Sequence, residues 1–241
     1  MDGTATRPRR KLAPKLEARE QAGASVTERI YVELKAAIVE GSLPPGAPLD
    51  KNDIRRRFNA SLSPVTAAIS RLGYEKLVVI EPQRGSFVAP IMFDEIVQFM
   101  SLRRALEVEA VCEATKSSPP DLTQKLARNL AYQEAACGVA DLNRFYELDV
   151  EFHRLIIEAS GLWKFNTVLD DVRAHLDRVR LLMLPARGRM EDTLEEHRAI
   201  ATAIGSKKME RAEAAMRKHL DRVDQEFRSF ATANPKLVRK G

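Results

Sequence analysis

The sequence predicts a mainly α-helical protein, with an N-terminal winged helix-turn-helix carrying a small β-hairpin wing and a C-terminal antiparallel all-α helical bundle. Three observations predict it. Residues 25–90 run helix, short helix, tight turn, helix and hairpin in about 65 residues, which is the order of a winged helix-turn-helix. From Pro90 onward apolar residues recur at helical spacing through six segments with no strand signal. The excess positive charge lies wholly in the first third: residues 1–90 hold 15 Lys+Arg against 10 Asp+Glu, whereas residues 91–241 hold 24 of each. Such asymmetry suits an N-terminal part that meets a polyanion and a C-terminal part that does not.

The elements follow in order. Residues 1–24 are basic and lack periodic hydrophobics, so a disordered arm is expected. Ile30, Leu34 and Ile38 repeat every fourth residue, with Thr27 available as a cap, and "GSLPPG" (41–46) stops this helix. A short helix follows, capped by Asp50, with Ile54 and Phe58 facing inward and Asn59-Ala60 as its turn. In "SLSPVTAAISRL" (61–72), Ser63 reads as N-cap and Pro64 as the first helical residue. Val65, Ala68, Ile69 and Leu72 share one face, which is buried. The opposite face shows Ser63, Thr66 and Ser70, small and polar, so its bulk does not block entry to a major groove. Val78–Ile80 and Ser86–Val88 read as strands around a Gln83-Arg84-Gly85 tip. A flexible arginine at a hairpin tip suits a minor groove.

The bundle is expected over 91–234, with helices near 93–115, 121–137, 141–160, 163–184, 191–205 and 207–232, and a flexible tail over 235–241. "SSPP" (117–120), Gly161 and "LPARG" (184–188) supply the breaks. No run of about 18 apolar residues predicts a membrane span, and no apolar stretch near the N-terminus reads as a signal peptide. Cys112 and Cys137 lack the spacing of a disulfide framework or a metal motif, so both read as buried free thiols in a reducing cytoplasm.

The chain has four histidines, His153, His175, His197 and His219. Asp149 and His153 lie four residues apart on a helix face that also carries Phe145 and Ile156, so both point inward. An inward carboxylate and imidazole need a partner or an ion. A single inward histidine is ordinarily a hydrogen-bonded core residue. His175 reads as a surface or cavity-lining residue, and Trp163 as core rather than a ligand platform.

The stretches "GSLPPGAPL", "SLSPVTAAISRLGYEKLV" and "RGSFVAP" resemble the DNA-binding domain of the GntR family of bacterial transcription regulators. "LRRALE" (102–107), "LDVEFHRLIIEASG" (148–161), "EEHRAI" (195–200) and "AEAAMRKHL" (212–220) resemble the FadR-type (FCD) ligand-binding domain of that family. The resemblance implies a homodimer that binds a palindromic operator in double-stranded DNA and responds to a small metabolite, often a carboxylate. It places Asp149, His153, His197 and His219 as ligands of a divalent metal. Three imidazoles and one carboxylate suit zinc, nickel, manganese or a similar ion. Arg103 matches an arginine of the family's "RxxLE" pattern and is the candidate effector residue; an ion pair with Glu107 is the competing role. Arg178 and Arg180 are secondary candidates.

The candidate DNA contacts are Lys51, Asn52, Ser61, Ser63, Thr66, Arg71, Arg84 and Gly85. Asn52, Leu62 and Thr66 stand where the family usually carries arginines, which predicts a different operator or weaker binding. Two other readings remain open at this level. One is a metal-dependent enzyme using a His3Asp site to activate water, although no general base or phosphate-cradling Gly loop accompanies it. The other is the same fold as an atypical, weak DNA binder.

Overall fold

The computed structural model describes residues 24–183 and 188–240. Apart from Ala24, the arm expected over 1–24 lies outside the described residues, as does most of "LPARG".

Helix α1 (Val26–Val39) is capped by Ser25, whose hydroxyl accepts from the Glu28 amide at 3.2 Å. The cap is therefore Ser25, not Thr27. Helix α2 (Lys51–Phe58) has the expected Asp50 cap and ends on Asn59 in the left-handed region, φ 47°. Helix α3 (Leu62–Tyr74) starts two residues before the expected point: Ser61 is the N-cap, and Ser63 and Pro64 are the second and third helical residues. The first four amides of a helix have no intrahelical acceptor, so proline at the third position forfeits no hydrogen bond. Strands β1 (Val78–Glu81) and β2 (Gly85–Val88) pair antiparallel, with Val78 opposite Val88. Gln83 and Gly85 turn the tip with positive φ. Ile30, Leu34, Ile38, Val65, Ala68, Ile69, Leu72, Leu77 and Val88 close one core beneath these elements.

Behind it stand α4 (Phe93–Ser117), α5 (Leu122–Gly138), α6 (Leu142–Ala159), α7 (Lys164–Met183), α8 (Arg189–Gly205) and α9 (Met209–Ala233). Each matches an expected segment within two residues at either end. α4 packs on α9, α5 on α6, and α8 between α5 and α9. Buried Phe145, Phe152, Ile156, Ile200, Met216 and Phe227 are among the side chains that fill the interior.

Three expectations are overturned. Of the flexible tail expected over 235–241, the described part is not free: β4 (Val238–Arg239) pairs parallel to β3 (Ile91–Met92) in the segment entering the bundle. Val238 is 4% exposed and joins the cluster of Ile91, Ile96 and Phe227, so burial of this valine holds the strand in place. Trp163 is 66% exposed in the turn before α7 rather than in the core. His175 is buried and faces the winged domain, where its Nε2 lies 2.9 Å from the Glu75 carbonyl. Cys112 is buried and Cys137 half-buried; both are free. No described helix is long and apolar enough to cross a membrane.

Candidate functional site

Two places gather the chemistry. The first is the outer face of the winged domain. Ser61 makes no capping hydrogen bond, so its hydroxyl stays available beside the free amides of the α3 N-terminus, an arrangement suited to a phosphate. Ser63 and Ser70 are exposed and Thr66 is half-buried on the same helix. Asn52 is exposed and Lys51 half-buried at the start of α2. Arg84 is exposed at the wing tip, 2.7 Å from Glu81, with Gly85 beside it. Arg71 is turned elsewhere: its guanidinium stacks 3.5 Å over the Tyr31 ring and bonds Glu28 at 2.7 Å. It braces α3 against α1 and so stands apart from the other seven candidates. Arg56 and Arg57 pair with Asp53 and Glu33.

The second is the bundle centre. α6 supplies Asp149 and His153, α8 supplies His197 and α9 supplies His219, all at most 5% exposed. One ring nitrogen from each histidine lies within 4.8 Å of the other two. The three side chains converge because each sits on the core face of its helix, among Phe145, Phe152, Ile200 and Leu220.

Their other nitrogens are held from behind. His197 Nδ1 lies 2.9 Å from Gln133 Oε1, His219 Nδ1 2.7 Å from Glu196 Oε2, and His153 Nδ1 2.6 Å from Glu107 Oε2. For His197 and His219 an oxygen that can only accept makes Nδ1 the protonated nitrogen and leaves the Nε2 lone pair bare; the close His153–Glu107 contact lacks hydrogen-bond geometry. Gln133 is itself fixed, since its amide donates to Asn129 Oδ1 at 2.7 Å and Asn129 donates to the Leu148 carbonyl at 3.1 Å. All three Nε2 atoms are buried and without a hydrogen-bond partner. Burial, then the neighbouring imidazoles, push the pKa values of His197 and His219 well below the ordinary value, so both are neutral. Neutral His197 and His219, oriented by acceptors behind them, together with the bare Nε2 of His153, fit a divalent metal and the outer shell that such ligands use. Asp149 stands at the edge. Its Oδ1 is 3.7 Å from His197 Nε2, while Oδ2 is taken by Arg180. Burial raises its pKa, but Arg180 and the histidines outweigh this and hold the carboxyl well below the usual range.

A cavity of about 30 Å³ adjoins His153, lined by Arg103, Arg154, Arg173, Asp177 and Arg180 among others. Arg103 bonds Glu107 at 2.7 Å, both nearly fully buried, so it makes the expected ion pair and lines the cavity too. Arg180 also lines it, whereas Arg178 points away and donates to the Ala89 carbonyl. Sequence reasoning did not single out Gln133, Glu196 or Asp177. Glu196 precedes His197 in the quoted "EEHRAI", but nothing local marks Gln133, which reaches His197 across 64 residues.

These pKa directions carry a pH dependence. The metal-free folded chain keeps His175, His197 and His219 neutral, because burial lowers each below the ordinary 6.5. The unfolded chain takes up protons near that value, so it binds more protons than the folded chain in mild acid. Stability therefore falls as pH drops below about 6.5, by up to about 1.4 kcal/mol per histidine per pH unit. Thermal unfolding of chelator-treated protein at pH 7.5 and 5.5 measures this.

Residues 26–88 match the family described as bacterial regulatory proteins, gntR family, and residues 98–222 match the FCD domain. The HTH-type transcriptional repressor RspR of Escherichia coli K12 is 29% identical over 209 residues, spanning 87% of this chain and 92% of that protein. Among solved structures, a putative GntR regulator from Rhodococcus sp. RHA1 superposes with TM-score 0.73 at 23% identity, covering 84% of this chain and 97% of that one. E. coli McbR/YncC superposes with TM-score 0.71 at 18% identity over 86% and 99% of the respective chains. These two likenesses bear on the fold. The winged helix-turn-helix, the helical bundle behind it and the two family matches agree: the chain belongs to the GntR family of bacterial DNA-binding transcription regulators, with an FCD domain as its second half.

Proposed function

We propose that the protein is a ligand-responsive transcription regulator that binds a palindromic operator as a homodimer through its winged domains. Its bundle holds a divalent metal, zinc-, nickel- or manganese-like, on His153, His197 and His219, with Asp149 as the adjoining carboxylate. A small carboxylate metabolite is bound beside it at Arg103 and Arg180. The observation that carries this reading is the convergence of three bare, buried Nε2 atoms next to an arginine-lined cavity. A bound metal would supply open positions for an effector oxygen. The chain's own residues do the rest. Gln133 and Glu196 hold His197 and His219 in their donating tautomer, and the Glu107 carboxylate stands 2.6 Å from His153 Nδ1. The arginines offer planar donor pairs suited to a carboxylate.

The test is fluorescence anisotropy of purified protein on duplex DNA from upstream of its own gene, against a scrambled duplex, over a salt titration. Sequence-selective binding that shifts with metal and carboxylates supports the reading. Equal, weak binding to both duplexes, unmoved by either, refutes it. Thr66→Arg restores a cation on the α3 face. It is expected to raise affinity for both duplexes and steepen the plot of log affinity against log salt by about 0.9, the share of one phosphate contact. An unchanged slope means that this face does not meet DNA.

A further inference from the structure

Helix α7 bears two sets of side chains on opposite sides. At 100° per residue, Leu169, Arg173, Leu176, Asp177 and Arg180 form one stripe, and all five line the cavity beside His153. Ala174, His175 and Arg178 form the other, and this stripe faces the winged domain. Ala174 is part of the winged domain's own apolar cluster, together with Ile30, Leu34 and Leu72. His175 Nε2 lies 2.9 Å from the carbonyl of Glu75, the C-cap residue of α3. Arg178 donates from Nη2 to the carbonyl of Ala89, directly after β2, at 2.7 Å. One stripe thus grips both elements that would read DNA, the recognition helix at its C-terminal end and the wing at its base.

Arg178 is an expensive residue to place there. It is 3% exposed, and among the described residues it has no carboxylate partner within ion-pair distance. Burial alone pushes its pKa down to about 10. An apolar side chain would fill the space at a lower desolvation cost. What the guanidinium adds is a fixed, directional bond to a main-chain oxygen of the other domain. His175 needs its proton on Nε2 to donate to Glu75, the reverse of the tautomer held by His197 and His219.

The cavity on the other stripe is about 30 Å³, room for roughly one water. A metabolite of several heavy atoms enters only if α7 parts from α4 or α6. A helix moves as a stiff rod, and shifts of about 1–2 Å are the usual scale of such switching. Displacement at Asp177 and Arg180 is therefore delivered to His175 and Arg178.

We propose that His175 and Arg178 are positioning residues through which α7 sets the placement of the recognition helix and the wing according to the state of the bundle centre. The coupling half of this proposal rests on the reading of that centre as a metal and effector site.

Hydrogen exchange on the full-length protein tests it, in chelator-treated samples and after addition of Ni²⁺ alone. Arg178→Met keeps the length and removes the donor. In metal-free Arg178→Met, amides of 87–92 are expected to exchange at least tenfold faster than in the parent, with α5 and α8 unchanged. Arg178→Lys, which keeps a donor, restores part of the protection. His175→Phe keeps a ring beside Phe99, which lies 5.2 Å away, and is expected to loosen 74–78 but not 87–92. A general loss of stability would speed both segments together. Ni²⁺ is expected to change protection of both segments in the parent and of neither in an Arg178→Met/His175→Phe double variant, with equal Ni²⁺ affinity by calorimetry. Unchanged exchange in the single variants overturns the clamp. An undiminished Ni²⁺ response in the double variant overturns the transmission. If the parent binds no Ni²⁺, the metal-site reading and the transmission that rests on it both fall, while the metal-free comparison still decides the clamp.

Discussion

Replacing His197 by alanine is expected to end retention of a divalent cation by the bundle while the winged domain stays folded. His197 is completely buried, and its Nε2 faces the other two imidazoles. Its ring also stacks on Phe152 at 4.1 Å, so alanine leaves a void as well as a missing ligand. His197→Gln separates the two effects, because it keeps most of the volume and removes the imidazole. Gln133→Leu leaves every ligand in place and removes only the acceptor that orients His197. Loss of such an outer partner costs about 10–100-fold in metal affinity. The expected order of affinity is thus parent, then Gln133→Leu, then His197→Gln and His197→Ala, measured by calorimetry with Ni²⁺ or Zn²⁺. A His197→Ala protein that binds as tightly as the parent ends the metal reading, whatever happens to its stability.

Arg103→Met is expected to cause the largest loss of stability from a single change. Arg103 and Glu107 form a buried pair at 2.7 Å, with both side chains under a tenth exposed. Burial raises the Glu107 pKa, but Arg103 and then His153 outweigh it and hold the carboxyl well below its usual range. Removing the guanidinium leaves a buried carboxylate with a single imidazole at 2.6 Å. Breaking a buried pair from one side costs about 3–5 kcal/mol, whereas replacing both partners with apolar residues is close to neutral. Arg103→Met is therefore expected to lower the midpoint of thermal unfolding by about 10 °C, given about 2–4 °C per kcal/mol in chains of this size. Arg103→Met/Glu107→Leu is expected to recover most of that loss. Metal affinity in the double variant is expected to fall below that of the parent, because the carboxylate 2.6 Å behind His153 Nδ1 is gone. Equal stability of the single and double variants would show that the pair is not what the interior depends on.

The elements were legible because their signals are local. The six bundle segments announce themselves by apolar spacing, and Asp50, Gly161 and the "SSPP" break mark ends that the structure keeps within two residues. Where a boundary moved, the competing residue was close by: Ser25 and Ser61 took the caps expected of Thr27 and Ser63. The inward face of Asp149 and His153 was likewise legible, since helical spacing alone puts them with Phe145 and Ile156.

What the local pattern did not carry was partnership across the chain. Val238 is one apolar residue in a basic tail, and only the β3 edge and the cluster around Phe227 make it part of the core. His175 and Arg178 share a helix with the cavity residues, and their sequence gives no sign that they face the opposite way, onto Glu75 and Ala89. Asp149 reads as a ligand, and nothing local in the chain shows that Arg180, 31 residues away, holds one of its two oxygens.

Periodicity, capping and charge act over a few residues, so the helices, the wing, the inward histidine face and the placement of positive charge beside a small hydroxyl face are written in the chain. The tertiary structure alone decided which nitrogens stay bare, which arginine lines the cavity and which one clamps the winged domain. Those outcomes depend on desolvation and on acceptors brought from distant helices, and a hydrogen bond between residues tens of positions apart leaves no spacing in the chain to read.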